Sequence, residues 1–498
     1  MVFWISDDVM KDHYCPWDSY HIEVPQRLDT IDQRMEDCDF SERVTKLPIR
    51  LCEEEEIQLV HTTRYIDDIK QTSKFSEKEF EPFSAKYEDI YVNQNTYNIA
   101  RIAAAAAIDL TAKVYATGEP GFASIRPPGH HASPDAACGF CIFNNVAIAA
   151  KSVIKAGAKR VLIVDWDVHA GQGTQDCIEN EENIRLVSIH RFENGKFWPN
   201  LEQSDVQTEF EKTVNVPLNT TGMTDSDYIG ILSLVVVPMI QDYKPEMIIV
   251  SCGFDAAFGD PEGEMAVTPG GFGTMAQILL NMGIPTAFIL EGGYFLDAVA
   301  ASAEFVLRAM LKDDAPHIDF KPLNSELVPV IRRIHKHFSK QYPSFSALSK
   351  LQEIVKPDSH EDIQEFKGVR NMIIPFPTRG LYNARDESFE TSLLVELDDI
   401  VNAYKKANYQ TIILENNDSI ELRVEDDQIL LLLPYRLFSL AYSSVVLPIN
   451  PTTPPSSSKI PEFDGPSKED LIHFQSFLKD QKCNEVLKNL PIYSIYNI

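Results

Sequence analysis

The sequence predicts an α/β fold: three layers, with a parallel sheet between helices on both faces. Three observations predict it. Apolar runs rich in β-branched residues alternate with helix-type stretches through the N-terminal two thirds of the chain. The runs lack polar–apolar alternation, as strands buried on both faces do. Four of them lead into residues of metal-binding or acid–base type, at His130/His131, at Asp165/Asp167/His169, at Asp255 and at Tyr294. In a parallel sheet all four ends share one edge, and that edge is where open α/β sheets bind ligands.

Taken in order, residues 2–6 open as a strand. An aromatic and acidic loop follows, carrying His21, Ile22 and Glu23, and a helix begins in Val-Pro-Gln-Arg-Leu at 24–28. Residues 57–70 mix apolar and polar positions at helical spacing, and His61 among them reads as a packing or capping residue rather than a ligand. The run Ala103 to Ala107 is a strong helix former. Gly121 to Ile125 is a short strand, followed by a Pro-Gly turn and the adjacent His130 and His131. A turn can present both imidazoles together, which makes an acid–base pair at neutral pH; two solvated loop histidines are the plain alternative. Gly139 allows close backbone approach, so Phe140 either walls a narrow channel or packs in the core. A helix runs near Val146 to Val153.

The stretch Arg160 to His169 holds the centre. Val161 to Val164 form a buried strand, and alternation along an extended backbone would face Asp165, Asp167 and His169 one way. Ala170 to Gly173 is a Gly-rich turn without the Lys-Ser/Thr of a phosphate loop. Residues 184–190 are a further strand, trailed by Phe192 and the cluster Phe197-Trp198-Pro199 as an aromatic rim. Met247 to Asp255 repeats the central pattern, with Asp260-Pro261-Glu262-Gly263 as a polar loop beside it. A helix starts at Pro269, and Thr286 to Tyr294 is a last strand ending in Gly-Gly-Tyr.

Two Asp and one His drawn from these ends make a three-ligand site with an open position, the pattern of catalytic zinc. Such an ion polarises a carbonyl, a His moves protons, and Tyr294 beside two glycines can donate to an oxyanion. Together these parts hydrolyse an amide.

Residues 1–315 resemble the zinc-dependent histone deacetylases, which share an arginase-like α/β fold. The resemblance rests on Arg-Pro-Pro-Gly-His-His at 126–131, Gly-Phe-Cys-Ile-Phe-Asn-Asn at 139–145, Val-Asp-Trp-Asp-Val-His at 164–169, Gly-Phe-Asp at 253–255 and Glu-Gly-Gly-Tyr at 291–294. It implies that Asp167, His169 and Asp255 hold zinc. It implies that His131 is the principal base and acid, that His130 is its partner oriented by Asp165, and that Tyr294 polarises the acetyl carbonyl. Gly139, Phe140 and Trp198 would flank the substrate tunnel, and Asp165 with Ser188 match a structural potassium site. The wording is most similar to class IIb, whose branches act on proteins and on acetylated polyamines. Tyr294 stands where the poorly active vertebrate class IIa members carry His.

Glu262 matches the gatekeeper glutamate of the polyamine branch, but that branch's constricting N-terminal turn is replaced by Tyr20-His21-Ile22-Glu23, which implies a wider mouth. Ala170 replaces a second His found in many relatives, and Gln172 stands where His131's partner is usually Asp or Asn. The acid that grips the substrate backbone is Glu88 or its neighbour Asp89. The resemblance therefore implies a deacetylase of lysine in histones or other proteins. An acetylpolyamine deacetylase of the N8-acetylspermidine type is the alternative, and a catalytically weak corepressor scaffold the second.

Composition bounds these readings. The chain has 498 residues and a formal net charge of −29, so nucleic acid is not bound through bulk electrostatics, and cationic partners such as basic tails or polyamines suit it. Eight scattered Cys with one Cys-x-x-Cys, Cys138 and Cys141, read as free thiols of a reducing compartment. Without a basic apolar leader or a long uncharged apolar run, no membrane association is expected, and the nucleus, the cytoplasm or both follow.

Residues 316–498 form a smaller C-terminal α+β region of unknown role, an interaction or dimerisation module by guess. Leu327 to Phe338 reads as a surface helix, with His335 and His337 solvated. Thr391 to Tyr409 and residues 466–490 read as helices, and Pro451 to Ser458 as a linker. Thr411 to Glu415, Ser419 to Val424 and Gln428 to Leu433 read as successive strands.

Overall fold

A computed structural model of the chain describes residues 1–346, except 39, 207–209, 314–317 and 319–320, together with 411–416, 419–424 and 431–434. The chain divides into two compact units: Met1–Glu365 with Pro375–Ala384, and Phe366–Ile374 with Arg385–Ile498.

The first unit is built on eight strands: β1 Phe3–Ile5, β2 Thr45–Lys46, β3 Gly121–Ala123, β4 Val161–Asp165, β5 Ile184–Arg191, β6 Thr213–Leu218, β7 Met247–Cys252 and β8 Thr286–Leu290. Their order across the sheet is β2-β1-β3-β8-β7-β4-β5-β6, and every pairing is parallel. All five residues of β4 are buried, as its unbroken apolar run predicts.

The direction of each crossover assigns the helices to faces, because such connections are right-handed. Steps from β2 to β3, β3 to β4 and β4 to β5 run one way along the sheet and carry the helices Thr96–Thr117, Asn145–Lys155 and Gln172–Ile178. Steps from β1 to β2 and β7 to β8 run the other way and carry Gln26–Asp37 and Pro269–Leu280. Accordingly Thr96–Thr117 packs on Asn145–Lys155, while Leu296–Met310 packs on both Gln26–Asp37 and Pro269–Leu280. The expected three layers form, and β4 and β7 are the neighbours from which the chain departs in opposite directions.

Some expectations meet a different structure. The stretch 57–70 is not one helix: Glu54–Ile57 and Thr63–Gln71 are separate, and the buried His61 between them accepts a hydrogen bond at Nε2 from the Asn144 amide at 2.9 Å. Phe192 is buried against His190 rather than on a rim. The helix Leu327–Phe338 continues the unit past residue 315, packing on β6. It buries Leu327, Val330, Ile331, Ile334 and Phe338, and with them His335, whose Nε2 lies 2.7 Å from the Leu234 carbonyl. An imidazole on the apolar stripe of an amphipathic helix goes inward with it, so His335 is not solvated; His337, off that stripe, is exposed.

In the second unit, strands Thr411–Asn416, Ser419–Val424 and Leu431–Pro434 form an antiparallel sheet with the middle one central; three successive strands were expected, the third from Gln428 to Leu433. The helices expected at 391–409 and 466–490 and the linker at 451–458 lie outside the described residues. Among the described residues, no helix is long and apolar enough to cross a membrane.

Candidate active site

The carboxyl ends of β4 and β7 meet where the topology reverses, and the site is built there. β4 stops at Asp165, and residues 166–169 are not extended strand. Asp165 Oδ1 accepts from the Asp167 amide at 3.1 Å, and Asp167 Oδ1 accepts from the His169 amide at 3.0 Å. These two Asx-type turns break the alternation expected from an extended backbone. They send Asp165 toward His130, with Oδ2 3.0 Å from Nδ1, and leave Asp167 and His169 facing Asp255 from β7. Trp166 and Val168, between them, are fully buried.

His169 Nδ1 lies 3.3 Å from Asp167 Oδ1 and 3.3 Å from Asp255 Oδ2. One ligand atom from each residue falls within 4.8 Å of the others. The second oxygens are held by backbone: Asp255 Oδ1 accepts from Val168 N at 2.7 Å and Asp167 Oδ2 from Gly292 N at 2.8 Å. Apart from the 3.3 Å approach of His169 Nδ1, the buried Asp255 Oδ2 meets no hydrogen-bond donor among the described residues. A Cβ on Gly292 would strike the carboxylates of both Asp255 and Asp167, so only glycine lets the chain after β8 run this close. Burial opposes charge on His169, but its contacts with Asp167 and Asp255 raise its pKa to about 10; burial and Asp167 push Asp255 up to about 7. Two packed carboxylates with one imidazole, and an acceptor atom left over, are a donor set that fits a divalent cation.

The rings of His130 and His131 lie with centroids 3.8 Å apart and tilted by 41°, both buried, presented by the turn as the sequence implies. Glu291 Oε2, just past β8, accepts from the amides of Gly129 at 2.7 Å and His130 at 3.1 Å and holds that turn. Burial works against charge on His130, but Asp167 and Asp165 outweigh it and raise its pKa well above the usual value. His131 is driven well below, by burial and by the charges of His130 and His169, and its Nδ1 pairs with Gln172 Oε1 at 2.8 Å.

The walls are aromatic. Gly139 and Phe140 form a two-residue hairpin tip, with φ of +50° and +66°, closed by reciprocal bonds of 3.2 and 2.9 Å between Cys138 and Cys141. Phe140 meets the Tyr294 ring edge-on at 5.7 Å and His21 at 4.8 Å. Opposite stands Trp198, 4.7 Å from His131 and 5.6 Å from His169. Phe197, expected only as part of the rim, stacks on His169 at 5.3 Å. Tyr294 is buried, its pKa is raised well above the usual value by burial and by Asp255 and Asp167, and its hydroxyl has no partner among the described residues.

At the rim, Glu88 is exposed and accepts from Trp198 Nε1 at 2.8 Å, while the carbonyls of Glu88 and Asp89 hold the amides of Gly139 at 3.0 Å and Phe140 at 2.8 Å. Glu262 is half-buried, and its carboxylate has no ion pair among the described residues. Ser188, one strand away on β5, donates to His190 Nδ1 at 2.9 Å, since His190 Nε2 donates to Ser204 O at 2.8 Å; the Ser188 oxygen also accepts from Gly171 N at 3.2 Å.

Sequence reasoning missed the support beneath. Glu23 forms buried ion pairs with Arg27 at 2.9 Å and Arg126 at 2.6 Å. Arg27 also binds the Gly293 carbonyl at 2.7 Å and the Glu291 carbonyl. The i, i+4 spacing of Glu23 and Arg27 at a helix start was the available signal; Arg126 gave none beyond its place before the two prolines.

Known proteins are similar to this chain in sequence and fold. The model of the histone deacetylase domain matches residues 21–310. Polyamine deacetylase HDAC10 of Danio rerio is 39% identical over 324 residues, 63% of this chain and 48% of that one. The Homo sapiens protein of the same name is 36% identical over 362 residues, 69% and 53% respectively. Histone deacetylase HDA1 of Candida albicans is 33% identical over 409 residues, 76% and 49%. The chain thus spans about half the length of these curated relatives. The crystal structure of the HDA15 HD domain superposes with a TM-score of 0.65 at 34% identity, over 71% of this chain and 99% of that one.

Proposed function

The chain belongs to the histone deacetylase family, on its class II branch, and from that premise we propose that it is a zinc-dependent amidohydrolase. Its substrates on this reading are acetylated lysine side chains of histones or other proteins. One observation carries the proposal: Asp167, His169 and Asp255 converge on a single buried point, beside a histidine pair and the buried Tyr294, whose pKa the charges of Asp255 and Asp167 help to raise.

Zinc fits the donor set and, when bound, polarises an acyl carbonyl and makes water nucleophilic at neutral pH. The chain's own residues do the rest. Gln172 Oε1 can only accept, so His131 keeps its proton on Nδ1 and offers Nε2 as base to the attacking water. The same nitrogen then returns the proton to the leaving amine. His130, held to Asp165, supplies positive charge behind it. Tyr294 stays protonated and donates to the oxyanion. Phe140 and Trp198 sheathe the acyl-amine stem, and Glu88 or Asp89 receives the substrate backbone at the rim. Asp165 and Ser188 are read as a potassium site; Ser188 gives its proton to His190, which leaves its oxygen, beyond the bond from Gly171 N, a lone pair to offer. A nuclear or cytoplasmic site of action, and a corepressor assembly, go with histone substrates.

A second reading, an acetylpolyamine deacetylase, is favoured by the Glu262 carboxylate, which has no ion pair among the described residues, and by relatives named polyamine deacetylase. Side-by-side kcat/KM of the zinc-loaded protein on an acetyl-lysine peptide and on N8-acetylspermidine decides, with Glu262→Leu as control. Preference for the peptide, unchanged in the variant, is expected on the main reading. Preference for the polyamine, lost in the variant, selects the second. Silence on both substrates selects a scaffold.

A further inference from the structure

The loop after β7 carries a buried carboxylate that the deacetylation chemistry does not use. Asp260 is 2% exposed. Its Oδ2 accepts from the amides of Tyr294 at 2.6 Å and Phe295 at 3.1 Å. Its Oδ1 accepts from the amide of Glu262 at 3.0 Å. Among the described residues it makes no ion pair. A buried carboxylate without a cation is costly and is tolerated when several N–H groups point at it. Here those N–H groups belong to the oxyanion donor, to its neighbour, and to the rim glutamate.

Both functional side chains need an outside anchor. Tyr294 lies four residues beyond β8, after Gly293 at φ +114°, past the last backbone bonds to the β7 end, Glu291 N to Cys252 O at 3.3 Å and Phe254 N to Gly292 O at 3.0 Å, and before the helix at Leu296. Glu262 lies in a loop whose far side is held by Arg191. The Arg191 Nη1 donates to the carbonyls of Glu262 at 3.4 Å and Gly263 at 3.3 Å and meets the Glu264 carboxylate at 3.2 Å. Asp260 closes the near side of that loop and the start of the Tyr294 segment with one rigid group.

We propose that Asp260 is a positioning residue that sets the Tyr294 hydroxyl and the Glu262 carboxylate together, so that catalytic rate and substrate discrimination share one anchor. The proposal rests on the role of Tyr294, common to both deacetylase readings, and on that of Glu262 under the acetylpolyamine reading; a substrate ratio unchanged in Glu262→Leu overturns the Glu262 arm.

Asp260→Asn is the test, because it keeps the shape but turns an N–H donor toward one of the two sets of amides. The expected result is a fall in kcat of tenfold or more, and a ratio of kcat/KM for N8-acetylspermidine over peptide that moves toward the Glu262→Leu value. Double-mutant cycles give the readout that a merely structural role would not move. In a Tyr294→Phe background D260N should cost less than twofold further in kcat; in a Glu262→Leu background it should leave the ratio unchanged. Full additivity in both cycles overturns the proposal. Melting temperature and zinc content are measured on each variant, and failure of both D260N and Asp260→Ser to fold or to hold zinc makes Asp260 structural and also overturns it. A wild-type protein silent on both substrates would sink the deacetylase reading instead. The Glu262 arm is then read by calorimetry with free spermidine: D260N and Glu262→Leu should weaken binding alike and non-additively, and equal affinity in D260N and wild type overturns it.

Discussion

Burial and neighbouring charges set the adjacent imidazoles apart. His130 Nδ1 faces the carboxylate of Asp165, while His131 Nδ1 faces the neutral amide of Gln172. Burial opposes charge on both rings; Asp167 and Asp165 outweigh it at His130, while at His131 the charges of His130 and His169 add to it, so the His130 pKa is raised and the His131 pKa lowered. The residue types were legible in the sequence; the pairing with Gln172, 41 positions from His131, came only from the family resemblance and not from local pattern. Tyr294 gives the sharpest prediction at this scale. Removing one oxyanion donor costs about 10²–10³ in kcat, so Tyr294→Phe should lose that much while KM and zinc content hold. Steady-state kinetics with metal analysis checks it, and a loss under threefold would remove Tyr294 from the mechanism.

Among elements, the strands buried on both faces were the most legible, since β4, β7 and β8 read as unbroken apolar runs. β6 escaped notice: it lies at the sheet edge, and Thr213, Asn215 and Pro217 interrupt its apolar pattern. β2 has two residues, both exposed, and offers no pattern at all. The helix Pro269–Leu280 announces its start in Thr268-Pro269, but what secures that start is distant. Asp225 accepts from Thr268 N and Thr268 Oγ1, each at 2.7 Å. Burial pushes the Asp225 carboxyl up to about 6. The folded state therefore keeps a proton that the unfolded chain, near pKa 4, has released. Stability is fully present below pH 4 from this group and falls as pH rises to 6, by about 3 kcal/mol at most. Asp225→Asn should flatten that part of the stability-against-pH curve, measured by urea unfolding; an unchanged slope would exclude Asp225 as its source.

For the whole molecule, a net charge of −29 sets a long-range field that draws cationic substrates. Salt shortens the reach of that field from about 30 Å at 0.01 M to about 8 Å at 0.15 M. On an acetyl-lysine peptide flanked by arginines, kcat/KM should fall several-fold over that range. On an uncharged acetyl-lysine amide it should stay level. A parallel fall on both substrates would point to an effect on the enzyme rather than on encounter.

The order of apolar runs and turns by itself determined an α/β parallel sheet and delivered His130, His131, Asp167, His169, Asp255 and Tyr294 to one edge of it. That much is local: burial on two faces writes a strand into consecutive residues, and parallel strands end on the same side. The assembly of the site was decided only by tertiary structure. β7 and β8 come late in the chain yet insert between β3 and β4, and this insertion sets Asp255 against His169 and Tyr294 against Phe140. The turns that aim Asp165 away from its neighbours, the amides that hold one oxygen of each ligand carboxylate, and the shared grip of Asp260 on Tyr294 and Glu262 are hydrogen bonds to partners that sequence periodicity does not encode.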